Sequence, residues 1–257
     1  MVEADLKPHR SRYWLNAKAK DTDPEAFARA AADVCDVYRR APEAHMRGEH
    51  IISTDEKTGM QALGRIAPTK PTKPGLVERM EFEYKRNGTL CLTANFEVAT
   101  GEICSYTISP TRTVVEFADH IERTIAEDPQ GSWTFVADHL NTHLSPLLVE
   151  RVAGWCGVTD DLGKAGKVGI LKSRASRSEF LADPTHRIRF VYTPKHCSWL
   201  NQVEIWFSVL VRRLLKRGDF NSTTELRERI EAFIRYFNET LAHPYRWTYT
   251  GRALKAA

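Results

Sequence analysis

The sequence has few cysteines and no hydrophobic run long enough to cross a membrane. Its five cysteines, at positions 35, 91, 104, 156 and 197, form no CxxC pair. An odd count without paired spacing disfavours a disulfide scaffold or a structural zinc site and is typical of a reducing cytoplasm. The first twelve residues alternate in charge and lack the apolar centre of a secretory signal. We therefore expect a soluble, cytoplasmic protein with no membrane partner.

Positive charge is concentrated in one part of the chain. The net charge is only +4, from 37 basic and 33 acidic residues. Between Lys164 and Arg217, however, twelve Lys and Arg face three acidic residues, so the rest of the chain is net negative. Because a one-sided field attracts phosphate groups, this clustering favours a polyanionic partner.

Hydrophobic periodicity predicts alternating strands and helices. Residues 157–186 are rich in Gly, Lys, Arg and Ser and are predicted to form an insertion with little structure of its own. The other predicted elements are a helix over 24–38, a strand over 50–54, a proline-rich loop over 66–78, a hairpin of strands 90–98 and 103–108, a helix over 113–126, a strand over 133–137, a helix over 146–155, a strand over 188–192, and helices over 201–216 and 223–240. This order indicates a mixed α/β layer fold.

Three acidic residues stand where they could hold metal ions. Asp55 and Asp138 each follow a strand-like run, and Glu204 lies near the start of an apolar helix, on a polar stripe opposite the core face. Cleavage of a phosphodiester needs an activated nucleophile and a counter-charge, which two divalent ions supply, and such hard ions take carboxylate ligands. Taken singly, an Asp at a strand end is more often a turn or helix cap, and a lone Glu on a helix is more often solvated.

Three motifs carry a resemblance to a known family. Residues 55–63 (DEKTGMQAL), 138–143 (DHLNTH) and 194–204 (PKHCSWLNQVE) are similar to the three acidic motifs of DDE transposases. The bacterial insertion-sequence branch of the mariner superfamily is the most similar, and the likeness runs from about residue 8 to residue 252. His139 departs from the pattern, because the residue after the second Asp is typically Asn in that family.

The resemblance implies a fold, a set of cofactors and partners. The fold would be RNase H-like, with a central mixed five-stranded sheet flanked by helices and the basic insertion before the last catalytic helix. Asp55, Asp138 and Glu204 would be the catalytic residues and the ligands of two divalent cations, Mg²⁺ or Mn²⁺. The partner would be DNA, both element ends and target, bound by a homodimer that associates with the nucleoid.

The family also implies a domain organisation. Residues 1–45 would be a linker and a helix, 46–242 the catalytic domain with its insertion at 157–186, and 243–257 a C-terminal tail. Transposases of this kind usually carry a helix-turn-helix region ahead of the catalytic domain, which we do not find here. We expect a catalytic-domain product, either a truncated copy or one that works with a separate helix-turn-helix polypeptide.

A set of basic and polar residues is predicted to contact DNA. Its members lie in the insertion, in the loop before the catalytic helix, or on that helix: Lys164, Lys167, Lys172, Arg174, Arg177, Lys195, His196, Asn201, Arg212 and Arg213. A solvated loop explains the insertion equally well, and Arg212 and Arg213 could merely complement the helix dipole. We predict a core position for Trp199 and a structural role for His143.

Three functions are consistent with these observations. The first is a metal-dependent DDE transposase that cleaves element ends and joins them to target DNA. The second is a catalytically silent DNA-binding remnant, and the third is a general RNase H-like nuclease that acts on DNA without inverted repeats. The intact set of three acidic residues favours the first over the second.

Overall fold

A mixed five-stranded sheet forms the centre of the computed structural model, which describes residues 23–79 and 81–249. Its strands are β1 (Glu49–Arg65), β2 (Tyr84–Glu97), β3 (Ile103–Ser109), β4 (Ser132–Ala137) and β5 (Ile188–Tyr192), in the order β3-β2-β1-β4-β5. β1, β2 and β3 are antiparallel neighbours, whereas β4 runs parallel to both β1 and β5. The predicted mixed sheet is confirmed.

Helices cover both faces of the sheet. They are α1 (Pro24–Met46), α2 (Val114–Ile125), α3 (Pro146–Cys156), α4 (Arg174–Leu181), α5 (Val203–Arg213) and α6 (Thr223–Thr240). One hydrophobic cluster joins α1, α5 and α6 to the sheet and contains Ile51, and a second joins α2 and α3 and contains Ile52. Successive residues of a strand point to opposite faces, so β1 contributes to both clusters.

Helix α1 is longer than predicted and belongs to the main core. Asp23 caps it by accepting a hydrogen bond of 2.9 Å from the amide of Ala26. Buried Ala41 and Ala44 extend its apolar stripe beyond the predicted end at residue 38. The helix therefore packs on the same sheet as the expected catalytic domain. Residues 1–22, which include the expected linker over residues 1–21, lie outside the described residues.

The first strand continues well past Asp55, contrary to the prediction. β1 and β2 pair from Ile52 with Glu97 to Arg65 with Tyr84, so Asp55 lies within a strand opposite Ala94. The prediction failed because the polar segment after Asp55 gains its order from hydrogen bonding to β2, and not from its own hydrophobic pattern. Residues 66–79 lie outside the helices and strands, as predicted.

The basic insertion has more structure than expected. Ser173 caps α4 by accepting a hydrogen bond of 3.1 Å from the amide of Ser176. Leu171, just before α4, and Leu181, at its end, are buried in the second hydrophobic cluster. These leucines attach a segment of polar composition to the core, so the prediction that the insertion has little structure of its own was wrong.

The last part of the described chain returns to the core. The ring of Trp247 packs edge-on against Tyr38 of α1 at 5.0 Å, and Tyr245 stacks on Phe96 of β2 at 4.9 Å. Residues 250–257 of the expected tail lie outside the described residues. Within the described residues, no helix combines the length and the apolar character needed to span a membrane.

Candidate functional site

Asp55 and Asp138 lie side by side where two parallel strands separate. The last parallel pair between β1 and β4 is Ser53 with Val136, and each aspartate lies two residues further along the chain, Asp55 within β1 and Asp138 directly after β4. β4 presents its carboxyl end at this edge, which is where open α/β sheets bind ligands, whereas β1 continues past it in pairing with β2. The structure thus brings the first two predicted residues together.

Asp55 is nearly buried and hard to ionise. It is 8% exposed, and its carboxylate accepts hydrogen bonds from the amide of Glu56 at 2.8 Å and from Nδ2 of Asn201 at 3.2 Å. Burial raises the pKa of the Asp55 carboxyl to about 7, and the negative charge of Asp138 adds to this effect. A bound cation would offset both the loss of hydration at Asp55 and the repulsion from Asp138.

Asp138 is held by a buried histidine. Nδ1 of His143 lies 2.8 Å from Oδ1 of Asp138, and its Nε2 lies 2.9 Å from Oε2 of Glu56. Burial alone would lower the pKa of His143, but hydrogen bonds to Asp138 and Glu56 outweigh it and raise that pKa to about 10. His143 is therefore an imidazolium that donates from both ring nitrogens.

Hydrogen bonding also decides the ionisation of Asp138 itself. Burial would raise its pKa, yet the bond from His143 and a bond of 2.9 Å from the amide of Leu140 hold the pKa below its ordinary value. Two neighbouring carboxyls thus differ: Asp138 is ionised at neutral pH, whereas Asp55 resists ionisation.

Glu204 reaches the same region from helix α5. It lies half-buried in the first turn of that helix. Burial raises the pKa of the Glu204 carboxyl, the charge of Asp138 raises it further, and Lys57 opposes both. Glu204, Lys57 and Arg212 line a depression of about 270 Å³. The carboxylates of Asp138 and Glu204 are thus close enough to influence each other electrostatically.

The three carboxylates suit a divalent cation in their chemistry. All offer hard oxygen ligands, and the mutual repulsion of Asp55 and Asp138 is the kind of strain that Mg²⁺ or Mn²⁺ neutralises. They are not yet closed into a chelate: among the residues that the structure describes, no three His, Cys, Asp or Glu side chains are grouped closely enough to hold a metal. The bonds from His143 and Asn201 keep each aspartate in its own place.

Asn201 is a correction to the predicted DNA contacts. Its side chain is fully buried and donates to the carbonyl of Thr54 at 2.9 Å and to Asp55 at 3.2 Å. Its Oδ1 accepts the hydroxyl proton of Ser53. A side chain with no exposed surface cannot contact DNA. Asn201 also lies before the first residue of α5, so it is not part of the polar stripe predicted for that helix.

The loop before α5 presents several of the predicted DNA contacts. Lys195 and His196 are exposed and line, with Arg174, a depression of about 480 Å³ that also includes Asp138. His196 has a positive φ of 62°, an uncommon conformation for a residue with a side chain. Trp199 is 52% exposed and packs edge-on against Tyr249, so the prediction of a core position was wrong.

The arginines of α4 bind the protein's own backbone. Arg177 is partly buried and donates to the carbonyls of Leu144 at 2.6 Å and Leu171 at 2.9 Å, which ties α4 to the loop around His143. Arg174 donates to the carbonyl of His139 at 2.5 Å but remains exposed. Arg177 is therefore a structural residue in this conformation.

The remaining predicted contacts lie on the surface. Lys164, Lys167 and Lys172 are exposed in the segment before α4, and Arg212 and Arg213 are exposed at the end of α5.

His139, where the family typically has Asn, places Nδ1 at 2.9 Å from the carbonyl of Thr193. It thereby joins the end of β4 to the end of β5.

Sequence reasoning missed Glu56 and Lys57. Neighbouring residues of a strand face opposite sides, so Lys57 shares a face with Asp55 while Glu56 turns to the other face and meets His143. The strand period could have placed Lys57 on the side of Asp55. Because the strand was predicted to end at Asp55, that signal was not available.

Comparisons with known proteins identify the family and the fold. The family described as DDE superfamily endonuclease matches residues 50–227. No curated protein matches the chain. Among solved structures, the Mos1 transposase paired-end complex with left transposon end is 10% identical with a TM-score of 0.53, covering 91% of this chain and 60% of that one.

A second Mos1 structure gives the same result. The Mos1 mariner paired-end complex with Mn is 11% identical with a TM-score of 0.53, covering 92% of this chain and 60% of that one. The chain thus spans about 60% of the length of these transposases. At such low identity the likeness establishes the fold, which is the RNase H-like fold of DDE transposase catalytic domains. Since the family match covers more than half of the sequence, the chain belongs to the DDE superfamily endonucleases.

Proposed function

We propose that this chain is the catalytic domain of a DNA transposase, which cleaves phosphodiesters at element ends and transfers the freed strand to target DNA. The observation that carries the proposal is the placement of Asp55 and Asp138 beside each other where the parallel pairing of β1 and β4 ends. Glu204 approaches this edge from α5, and its charge interacts with that of Asp138. Two of the solved relatives are described as paired-end complexes, one of them with Mn.

Asp55, Asp138 and Glu204 would hold two divalent cations, Mg²⁺ or Mn²⁺. When bound, such ions activate water and neutralise charge on the phosphate. The chain's own contribution is to keep Asp138 ionised through His143 and to keep Asp55 partly desolvated, so that one ligand is already charged and the charge of the other would be favoured by a bound cation.

DNA would approach along the exposed cations around Asp138. Lys195, His196 and Arg174 surround the depression beside this residue, and Arg212 and Lys57 lie on the Glu204 side. These residues would position the backbone by phosphate contacts, without reading sequence. Lys164, Lys167, Lys172 and Arg213 are exposed further out and would add affinity that falls with salt.

The wider assignments also belong to this proposal. The motifs support the bacterial insertion-sequence branch of the mariner superfamily, and with it a homodimer on DNA in the cytoplasm, associated with the nucleoid. A separate helix-turn-helix polypeptide would recognise the terminal repeats. Co-expression with such a polypeptide should raise the affinity for element ends without changing cleavage by the bound protein.

The test is an assay of nicking and joining with Mg²⁺ or Mn²⁺. Asp138→Asn should abolish both products while leaving DNA affinity within about twofold, because it removes a ligand charge but no basic residue. Asp33→Asn, at an exposed position on α1, is the matched control and should keep full activity. Unchanged cleavage by Asp138→Asn would refute the proposal, and nicks without joined products would identify a general nuclease instead.

A further inference from the structure

Three depressions in the surface follow one another from Asp138 to the outer edge of strand β5. The depression of about 480 Å³ beside Asp138 shares His139, Arg174 and Lys195 with a second one of about 610 Å³ along α4. The second shares Ala182, directly after α4, with a third of about 650 Å³. Because each depression has lining residues in common with the next, the three adjoin one another, and we call them together the α4 trough.

The far end of the α4 trough lies at the open edge of the sheet. β5 is the last strand in the sheet order, so its outer edge pairs with no other strand in the part of the chain that the structure describes. Four consecutive residues of β5, from 189 to 192, line the third depression together with residues of helix α1. An unpaired strand edge of this kind leaves backbone and side-chain groups within reach of a ligand.

Two arginines repel each other at this end of the trough. Arg189 is half-buried, and its Nε donates to the hydroxyl of Thr134 at 3.1 Å, which fixes the guanidinium at the strand edge. Burial lowers the pKa of the Arg189 guanidinium, and the nearby positive charge of Arg40 lowers it further. Glu49 opposes both effects, but its own ion pair is with Arg47. Neither Arg40 nor Arg189 is among the DNA contacts predicted from the sequence.

The acidic residues of the trough leave this pair of arginines without a counter-charge. Asp33, Asp36 and Glu179 also line the trough. Within the described residues, none of them forms an ion pair with Arg40 or Arg189, and Asp36 is paired with Arg39 instead. Two like charges held near each other at the surface are stabilised by an anionic ligand, and the planar guanidinium group suits phosphate oxygens in particular.

We propose that Arg40 and Arg189 bind neighbouring phosphates of the DNA backbone, which would run along the α4 trough away from Asp138. This inference rests on the proposed function, because it takes DNA to be cut near Asp138. Lys195 and Arg174 would hold the backbone close to the cut, and the two arginines would hold it at the other end of the trough. These contacts would add affinity without reading sequence.

The experiment measures the affinity for a random-sequence DNA duplex as a function of salt concentration, without divalent cations. Replacing both arginines, Arg40→Gln with Arg189→Gln, should make the slope of log affinity against log salt concentration shallower by about 1.8, at about 0.9 for each lost phosphate contact. Arg29→Gln is the matched control, because Arg29 is also exposed on α1 but pairs with Glu25 and does not line the trough. Its slope should equal that of the wild type.

Single variants cover the case in which the double variant does not fold. Arg40→Gln changes only an exposed side chain and should make the slope shallower by about one contact. Arg189→Lys keeps the positive charge beside Thr134 and should keep the wild-type slope, whereas Arg189→Gln should not. This pair of variants separates the loss of charge from the loss of packing.

A wild-type slope in both Arg40→Gln and the double variant would overturn the role of the two arginines. An equal change in Arg29→Gln would overturn it as well, because net charge alone would then explain the result. Wild-type protein that binds the duplex, with the expected loss of slope in the variants, but cleaves no DNA with Mg²⁺ or Mn²⁺ would instead overturn the proposed function and leave the phosphate site supported.

Discussion

The imidazole of His143 lies 2.8 Å from the carboxylate of Asp138 and 2.9 Å from that of Glu56, and it bridges the two in a fully buried position. Glu56 follows Asp55 directly on β1, so one histidine links the strands that carry the first two acidic residues of the site. The bridge keeps Asp138 charged and oriented, which is the usual task of groups that support metal ligands.

Removal of one charge from this bridge should be costly. Glu56→Gln leaves the buried His143 cation with a single anionic partner, and the loss of one member of a buried ion pair costs on the order of 3 kcal/mol of unfolding free energy. Cleavage should fall about tenfold because Asp138 is held less firmly. The measurements are urea denaturation and single-turnover cleavage.

A surface pair provides the control for that variant. Glu122→Gln breaks an exposed ion pair with Arg151 and should change stability by less than about 1 kcal/mol. Similar stability changes for the two variants would mean that the buried bridge contributes no more than an ordinary surface contact.

Asp55 should reduce the stability of the metal-free fold. Its pKa is raised to about 7 in the fold, against about 3.9 in the unfolded chain. The unfolded chain therefore releases this proton more readily, and stability is lost as the pH rises between those two values. Without divalent cations at about pH 8, Asp55→Asn should be more stable than the wild type by on the order of 1–3 kcal/mol.

The pH dependence separates this effect from simple repacking. The advantage of Asp55→Asn should shrink as the pH falls and vanish below the unfolded pKa of about 3.9, where the wild-type carboxyl is protonated in both states. Adding Mn²⁺ should stabilise the wild type and not the variant. The measurement is chemical denaturation across pH, and a variant less stable than the wild type at about pH 8 would contradict it.

Lys57 should tune the ionisation of Glu204. Its positive charge lowers the pKa of the Glu204 carboxyl, which burial raises. Lys57→Met removes that charge, so Glu204 ionises at higher pH and the acidic limb of the pH–rate profile moves to higher pH. Lys57→Arg keeps the charge and should keep the limb in place. A profile that does not move in Lys57→Met would show that Lys57 has no influence on the reacting form of the enzyme.

Two basic residues near the site should behave differently in DNA binding. Lys195 is exposed, and Lys195→Gln should lower the slope of log affinity against log salt concentration by about one phosphate contact. Arg177 donates to two backbone carbonyls, so Arg177→Gln should destabilise the fold by about 1–3 kcal/mol and leave the slope unchanged. The reverse pattern in a salt titration would contradict both assignments.

The helices and strands that could be predicted from the sequence are those whose formation depends mainly on a local hydrophobic pattern. Helix α6 and the hairpin of β2 and β3 appear in the structure where their periodicity indicated, although β2 begins at Tyr84 and not at residue 90. The extension of β1 to Arg65 and the order of the insertion did not. Both depend on partners that are distant in the sequence: β2 for the strand, and the second hydrophobic cluster for Leu171 and Leu181.

The residues of the candidate site also fall into two groups, those that the sequence identified and those that it did not. Asp55, Asp138 and Glu204 were recognisable from their motifs, because each motif is short and continuous. The roles of Asn201, Glu56 and Arg177 were not, because each role is a contact with another element: Asn201 with β1, Glu56 with His143, and Arg177 with backbone carbonyls around the site.

By itself, the sequence determined which residues carry charge, which alternate between core and surface, and which acidic groups stand in family motifs. Only the tertiary structure decided that Asn201 is buried and that His143 is charged. Burial and ionisation depend on the groups that surround a side chain in space, and in this protein those groups come from segments as far as 148 residues apart along the chain.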